Sequence, residues 1–150
     1  MATICLVCSA GGHLYQLYSL NPFWEHEDRF WVSFPQEDAK YLLKDERKYW
    51  ASYPTNRSVK NLIKNTFLAW RVLRLERPVL VVSTGAGVSV PFIIMAKLFG
   101  IRTIYLESIT RNEELSLSAR IVYPVVDKLL VQWEDLTLRY KKATFKGRVI

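Results

Sequence analysis

Ile4-Cys5-Leu6-Val7-Cys8-Ser9-Ala10-Gly11-Gly12-His13 reads as an apolar strand, a glycine turn and the first turn of a helix that runs on through Leu14 to Leu20. That order places a loop at the carboxyl end of a strand, the edge where open α/β sheets bind ligands. Two adjacent glycines let the backbone turn tightly and bring its N–H groups close to a ligand. The helix start adds unpaired N–H groups and a partial positive charge, which suits a phosphate or pyrophosphate. His13 falls in that first turn, beside any anion held there. The plain alternative is a tight turn with a surface histidine.

Working outward, strands and helices alternate. Strands are expected at Thr3–Val7, Arg29–Ser33, Tyr49–Tyr53, Val79–Ser83, Arg102–Leu106 and Lys128–Gln132, with a short one near the end of the tail. Helices are expected at Gly12–Leu20, Gln36–Leu43, Ser58–Glu76, Val88–Phe99 and Ser116–Tyr123, with a helix or turn from Trp133 to Tyr140. Asn21-Pro22 ends the first helix. The run Val79-Leu80-Val81-Val82-Ser83 suits a central parallel strand covered on both faces. The expected fold is therefore a single α/β domain over residues 1–150: a Rossmann-like parallel sheet with helices on both faces.

The chain has 150 residues, half of them hydrophobic, which excludes a disordered chain and allows one real core. Its net charge is +7, from 21 Lys and Arg against 14 Asp and Glu, which points to an anionic partner. No signal peptide is expected at the N-terminus, and no run approaches the ~18 apolar residues of a membrane span. Cys5 and Cys8 are three apart in a strand, on opposite faces, so they read as buried core residues rather than a redox pair. A cytoplasmic setting follows by default. His13 and His26 have no ligand spacing, so no metal site is expected.

Three strand ends carry polar or glycine-rich sequence: Ser9–His13, Ser83–Gly87 and Glu107–Arg111. In a parallel sheet they share one edge, and the first and fourth strands flank the topological switch point. Gly11 and Gly12 on one loop, with Thr84, Gly85 and Gly87 on the other, can grip a diphosphate from two sides. Arg111 can bind it bidentately. His13 and Glu107 are the candidates for acid–base work, since a neutral imidazole or a carboxylate can take a proton from a hydroxyl. The plain alternative for Glu107 is a capping carboxylate, or one paired with Arg111.

Gly11-Gly12-His13, the Val79–Ser83 strand with Thr84-Gly85-Ala86-Gly87-Val88-Ser89-Val90-Pro91, Tyr105-Leu106-Glu107-Ser108, and Asp127-Lys128 with Val131-Gln132-Trp133 together resemble the amino-terminal lobe of a two-lobed (GT-B) glycosyltransferase. The resemblance is closest to bacterial capsule and exopolysaccharide subunits. It extends to the eukaryotic membrane-anchor subunit of the dolichol-linked N-acetylglucosaminyltransferase, and more distantly to the peptidoglycan lipid-intermediate transferase. The chain has Ser9-Ala10 where the peptidoglycan enzyme has additional glycine and threonine, and Leu106 where it has histidine.

The resemblance implies a subunit that binds a sugar on a polyprenyl diphosphate at the membrane, while a separate donor-binding subunit holds the UDP-sugar. No cofactor is then expected on this chain. It implies that Gly11, Gly12, Gly85 and Gly87 contact acceptor pyrophosphate, that His13 acts as base or phosphate contact, and that Glu107 contacts the acceptor sugar or acts as base. Transfer would serve exopolysaccharide, capsule or other lipid-linked oligosaccharide synthesis.

Helix Ser58–Glu76 carries an apolar stripe of Val59, Leu62, Ile63, Phe67, Trp70 and Leu73. The stripe is expected to pack into the core, leaving a solvated basic flank; a face meeting anionic lipid is the alternative. Lys60, Lys64, Arg71 and Arg74, with helix Val88–Phe99, would form a peripheral docking face on the inner side of the cell membrane. Two rival functions remain open. One is a non-catalytic membrane scaffold that activates its partner. The other is an unrelated nucleotide-binding Rossmann domain, which is disfavoured because Ser33-Phe34-Pro35 stands where the ribose-binding acidic residue would follow the second strand; no nucleic-acid motif is present.

Overall fold

A computed structural model describes residues 2–149. Among them, seven strands form one fully parallel sheet in the order β3-β2-β1-β4-β5-β6-β7. They are β1 (Thr3–Cys8), β2 (Asp28–Ser33), β3 (Lys48–Trp50), β4 (Leu80–Gly85), β5 (Arg102–Leu106), β6 (Lys128–Val131) and β7 (Ala143–Phe145). The chain winds outward from β1 to β3, then returns to place β4 on the other side of β1. The switch point therefore lies between β1 and β4, as expected.

Helices cover both faces. On one face α1 (Gly12–Tyr18) and α3 (Glu37–Leu42) pack Leu14, Leu17 and Ala39 onto Ile4, Leu6, Cys8 and Trp31. On the other, α4 (Val59–Glu76) and α5 (Ser89–Leu98) pack Ala69, Val72, Phe92 and Ala96 onto Cys5, Val7, Phe30 and Val81. Strand alternation sends Cys5 and Cys8 into different cores. Both thiols are buried, and burial pushes both well above the usual thiol range. A third cluster joins α6 (Leu117–Val122) and α7 (Asp135–Arg139) to Tyr105, Leu129 and Ala143.

Element boundaries shift by up to three residues from the sequence reading, β4 taking in Thr84 and Gly85 of the expected loop, and two of the other shifts have a clear cause. The first helix stops at Tyr18, and Asn21-Pro22 opens a separate short helix, α2 (Asn21–Trp24), instead of simply ending the first. Proline fits there because the amide it lacks has no helical partner in the first turn. Strand β3 ends at Trp50, because Ser52 is claimed by α4: Asn65 accepts from its N–H at 2.8 Å and donates to its C=O at 3.0 Å.

The larger correction concerns α4. Its apolar stripe does not enter the core. Val59, Leu62, Ile63, Phe67 and Trp70 are all exposed, Val59 and Phe67 at about 70%; of the stripe only Leu73 is buried. The buried face is Asn65, Ala69, Val72 and Leu73. Small Ala69 lets the helix lie close to the sheet, and Asn65 must turn inward to hold the β3 exit. The large side chains are left facing outward. Ser58 caps the helix as expected, accepting from Asn61 N–H.

Candidate functional site

The exits of the parallel strands converge on a cleft of about 500 Å³ at the carboxyl edge of the sheet. Ser9 follows β1, Phe34 and Gln36 follow β2, Tyr53 to Asn56 follow β3, and Ala86 and Gly87 follow β4. Glu107, Ser108, Thr110 and Arg111 follow β5, and Ser116 to Ser118 open α6. A larger depression of about 810 Å³ lies at the opposite edge, among Val79, Arg102 and Lys128. It gathers the amino ends of strands, without the convergent loops that make a binding edge, so the carboxyl cleft is the better candidate.

His13 is the best-defined group in this cleft. Its Nδ1 lies 2.9 Å from Thr84 O, while the Thr84 hydroxyl donates to His13 O. A carbonyl only accepts, so Nδ1 carries the proton, and the neutral form of the ring has its lone pair on Nε2. The β1/β4 register shifts between Val7↔Ser83 and Cys8↔Gly85, a bulge that turns Thr84 toward α1. The ring lies directly on Gly85. A Cβ there would come within 2.8 Å of His13 Cε1 and Nδ1 and 3.2 Å of Tyr105 Oη, and φ is +132°. Burial, reinforced by the negative charge of Glu107, pushes the Tyr105 phenol up, so it sits neutral at the same point.

Glu107 is buried and its carboxylate is occupied. Oε2 accepts from Ser116 N–H at 2.7 Å; Oε1 accepts from Ser108 N–H at 2.9 Å and from the Ser116 hydroxyl at 3.2 Å. It anchors the loop to the start of α6, and no ion pair joins it to Arg111 among the described residues. Gln132 and Trp133 hold the same loop from below, donating to Glu107 O at 3.0 Å and Ile109 O at 2.6 Å. Arg111 lines the cleft, and among the described residues its guanidinium has no partner within the chain.

The structure thus gathers His13, Gly87, Glu107 and Arg111 at one mouth, but not the whole expected set. Gly11 and Gly12 lie outside the lining, and the Gly11 N–H is taken by the Asp38 carboxylate at 2.7 Å. Thr84 is fully buried and works through His13. Gly85 makes room for the imidazole rather than for a ligand. Gly87 makes room for Thr55, whose Oγ1 would lie 2.9 Å from a Cβ. Sequence reasoning passed over Asp38, Phe34, Gln36 and the Tyr53–Asn56 loop. The available signal was topological: every exit of a parallel strand reaches this edge, including those of β2 and β3.

A second feature lies along α4. Lys60, Lys64 and Arg71 fall on one flank of the helix and Arg74 stacks on Trp70 at 5.0 Å. Beside them Leu62, Ile63, Phe67 and Trp70 line an apolar groove closed by Met95 of α5, and Ile94, Leu98 and Phe99 are exposed as well. Each large side chain left in water forgoes about 1.5–3 kcal/mol of burial. No described helix is long and apolar enough to cross a membrane.

A family model described as "Oligosaccharide biosynthesis protein Alg14 like" matches residues 33–149. The human UDP-N-acetylglucosamine transferase subunit ALG14 is 33% identical over 110 residues, covering 69% of this chain and 50% of that protein. The Rattus norvegicus subunit of the same name is 33% identical over 126 residues, covering 76% and 56%. The chain spans about half the length of the curated relatives it matches. Among solved structures, Acinetobacter baumannii MurG superposes with a TM-score of 0.80 at 18% identity, over 97% of this chain and 46% of that one. A Rickettsia bellii UDP-N-acetylglucosamine 2-epimerase gives 0.76 at 18%, over 98% and 45%. These two likenesses establish the fold, that of a GT-B amino-terminal lobe. The matched family model, spanning most of the chain, and the two mammalian relatives agree: the chain belongs to the Alg14-like family of oligosaccharide biosynthesis proteins.

Proposed function

We propose that this chain is the acceptor-binding subunit of a two-chain UDP-N-acetylglucosamine transferase. It would hold a sugar on a polyprenyl diphosphate at a membrane surface, and a separate subunit would hold the nucleotide sugar. The observation that carries the reading is the cleft at the β1/β4 switch point, where Arg111, without a side-chain partner among the described residues, lines the same space as His13. Arg111 supplies a fork of donors for a diphosphate. His13, with Nδ1 tied to Thr84, offers Nε2 to the attacking hydroxyl as general base. Glu107 acts as the anchor of the Arg111 loop rather than as a base, since three donors already fill its carboxylate.

The exposed stripe of α4, flanked by Lys60, Lys64, Arg71 and Arg74, is read as the membrane-docking face. Each basic residue near an anionic surface contributes about 1 kcal/mol. Peripheral attachment on the inner leaflet fits such a face. The relatives' names support N-acetylglucosamine transfer in oligosaccharide synthesis. A capsule or exopolysaccharide setting draws support only from the motif resemblance and none from those relatives.

The test is transfer from UDP-N-acetylglucosamine to a polyprenyl-diphosphate-linked sugar by this chain, by a donor-lobe chain, and by the two mixed. Activity confined to the mixture is the expected result. His13→Ala in the mixture should lower kcat by about 10²–10⁴. Full activity of the donor-lobe chain alone would instead make this chain a membrane scaffold. Activity of this chain alone would place the donor in this cleft.

A further inference from the structure

The loop between β3 and α4 has no part in the diphosphate binding proposed above, yet it is a firmly held wall of the cleft. Tyr53 is 45% exposed and rests on the nearly buried Phe34, ring centroids 5.4 Å apart and planes 35° apart. Its backbone is pinned on both sides. The buried amide of Asn65 clamps Ser52 through two hydrogen bonds, and Asn61 Nδ2 donates to Pro54 O at 2.7 Å. Thr55 is wedged against Gly87, where a Cβ would come within 2.9–3.0 Å of its side chain. A half-exposed aromatic ring fixed by a stack and three hydrogen bonds has lost most of its freedom before any ligand arrives, which lowers the ordering cost of binding.

The residues that line the cleft from the β2 and β3 exits are uncharged. Gln36, Thr55 and Asn56 are among them. Among the described residues the side chains of Gln36 and Asn56 bond to nothing within the chain, and each amide offers both donors and an acceptor. The β2 and β3 exits supply this wall. Arg111 comes from the β5 exit, beyond β1 and β4 in the sheet. The cleft thus has an aromatic, neutral side and a cationic side.

A pyranose has matching chemistry. One face of the ring presents C–H groups, which suit the electron-rich face of an aromatic ring, and its rim carries hydroxyls that both donate and accept. We infer that the Phe34–Tyr53 platform, with Gln36 and Asn56, is a pyranose subsite that holds the sugar ring of the acceptor while Arg111 holds its diphosphate. The inference rests on the acceptor role proposed above.

Two ligands separate the inference from that role: farnesyl diphosphate carrying N-acetylglucosamine, and farnesyl diphosphate without a sugar. Each is titrated calorimetrically into the full chain, with UDP as a third ligand. The sugar-bearing form should bind more tightly. Tyr53→Ala should weaken it about tenfold and leave the sugarless form unchanged; Tyr53→Phe should retain it, because the stack survives. Gln36→Ala and Asn56→Ala should each cost roughly fivefold on the sugar-bearing form alone. Arg111→Ala should weaken both forms. Equal binding of the two forms by the wild type, with Arg111 still required, overturns the sugar subsite and leaves the acceptor role standing. Equal weakening of both forms by Tyr53→Ala also overturns it, the loop then being structural. UDP binding that depends on Tyr53 overturns it in favour of a base-stacking platform. Binding of neither form removes the acceptor role and the subsite together.

Discussion

Gly85→Ala is the sharpest test of how His13 is held. The added Cβ would lie 2.8 Å from two atoms of the imidazole and 3.2 Å from Tyr105 Oη. Ordinary carbon contacts begin near 3.5 Å, so the ring must retreat by about 0.7 Å or more. Tyr105 cannot yield, since it is fully packed in the core. Retreat lengthens the 2.9 Å bond from Nδ1 to Thr84 O toward the limit of hydrogen bonding. Alanine must also adopt φ +132°, at a cost of about 1–3 kcal/mol. Overpacking adds about 1–3 kcal/mol. The sum, roughly 2–6 kcal/mol, lowers Tm by about 4–24 °C in a domain of this size. Misplacing the imidazole by nearly 1 Å should lower transfer by the assembled enzyme about 100-fold. Circular-dichroism melting measures the first effect and the transfer assay the second. Imidazole nitrogen shifts in NMR report whether Nδ1 still carries the proton. A Gly85→Ala chain with unchanged Tm and unchanged imidazole shifts would refute the seating described here.

Glu107→Gln should lower Tm by about 3–12 °C, because an ionised acceptor of three hydrogen bonds is lost, at about 1.5–3 kcal/mol; a fall in kcat with unchanged Tm would instead restore Glu107 as a base. Replacing Lys60, Lys64 and Arg71 together by Gln should weaken binding to phosphatidylserine vesicles by roughly a hundredfold in a flotation assay, from about 1 kcal/mol per charge. Unchanged binding would remove α4 from the membrane. Burial, with the bond it donates to Glu76, pushes the Tyr49 phenol up to about 12. Its contribution is complete below the unfolded value near pH 10 and is lost as pH rises toward 12. Tyr49→Phe should flatten the fall in denaturation midpoint across that window, and an equally steep fall would show that the phenol is not responsible.

The alternation of strands with helices and the switch point were legible because short apolar runs, several of them followed by a glycine or proline turn, leave few parallel topologies. The face of α4 was not. A 3.6-residue stripe marks one side of a helix as apolar but says nothing of what covers it, and here Asn65 and Ala69 win the core through fit and hydrogen bonding. The glycines misled for a related reason. Gly85 and Gly87 are needed for close approach, but what approaches is His13 and Thr55; Gly11 is needed for its φ of +81°, and its N–H goes to Asp38. A sequence shows that space is kept open and not whether a ligand or the chain itself fills it. His13 and Arg111 were legible as types at a strand exit. The Tyr53 wall was not, because its order comes from Asn61 and Asn65, distant in sequence from Phe34.

The helix that presents Phe67 and Trp70 begins one residue after Ser58, and the loop that precedes it lines the cleft. About 24 Å of rigid helix separates Val59 from Leu75. With that stripe laid in the headgroup layer, the mouth of the cleft stands at a set height above the hydrocarbon, like the end of a ruler laid on a table. A lipid-borne diphosphate lies at headgroup depth already. It would reach Arg111 by sliding sideways within the plane of the bilayer, with its isoprenoid chain still in the hydrocarbon.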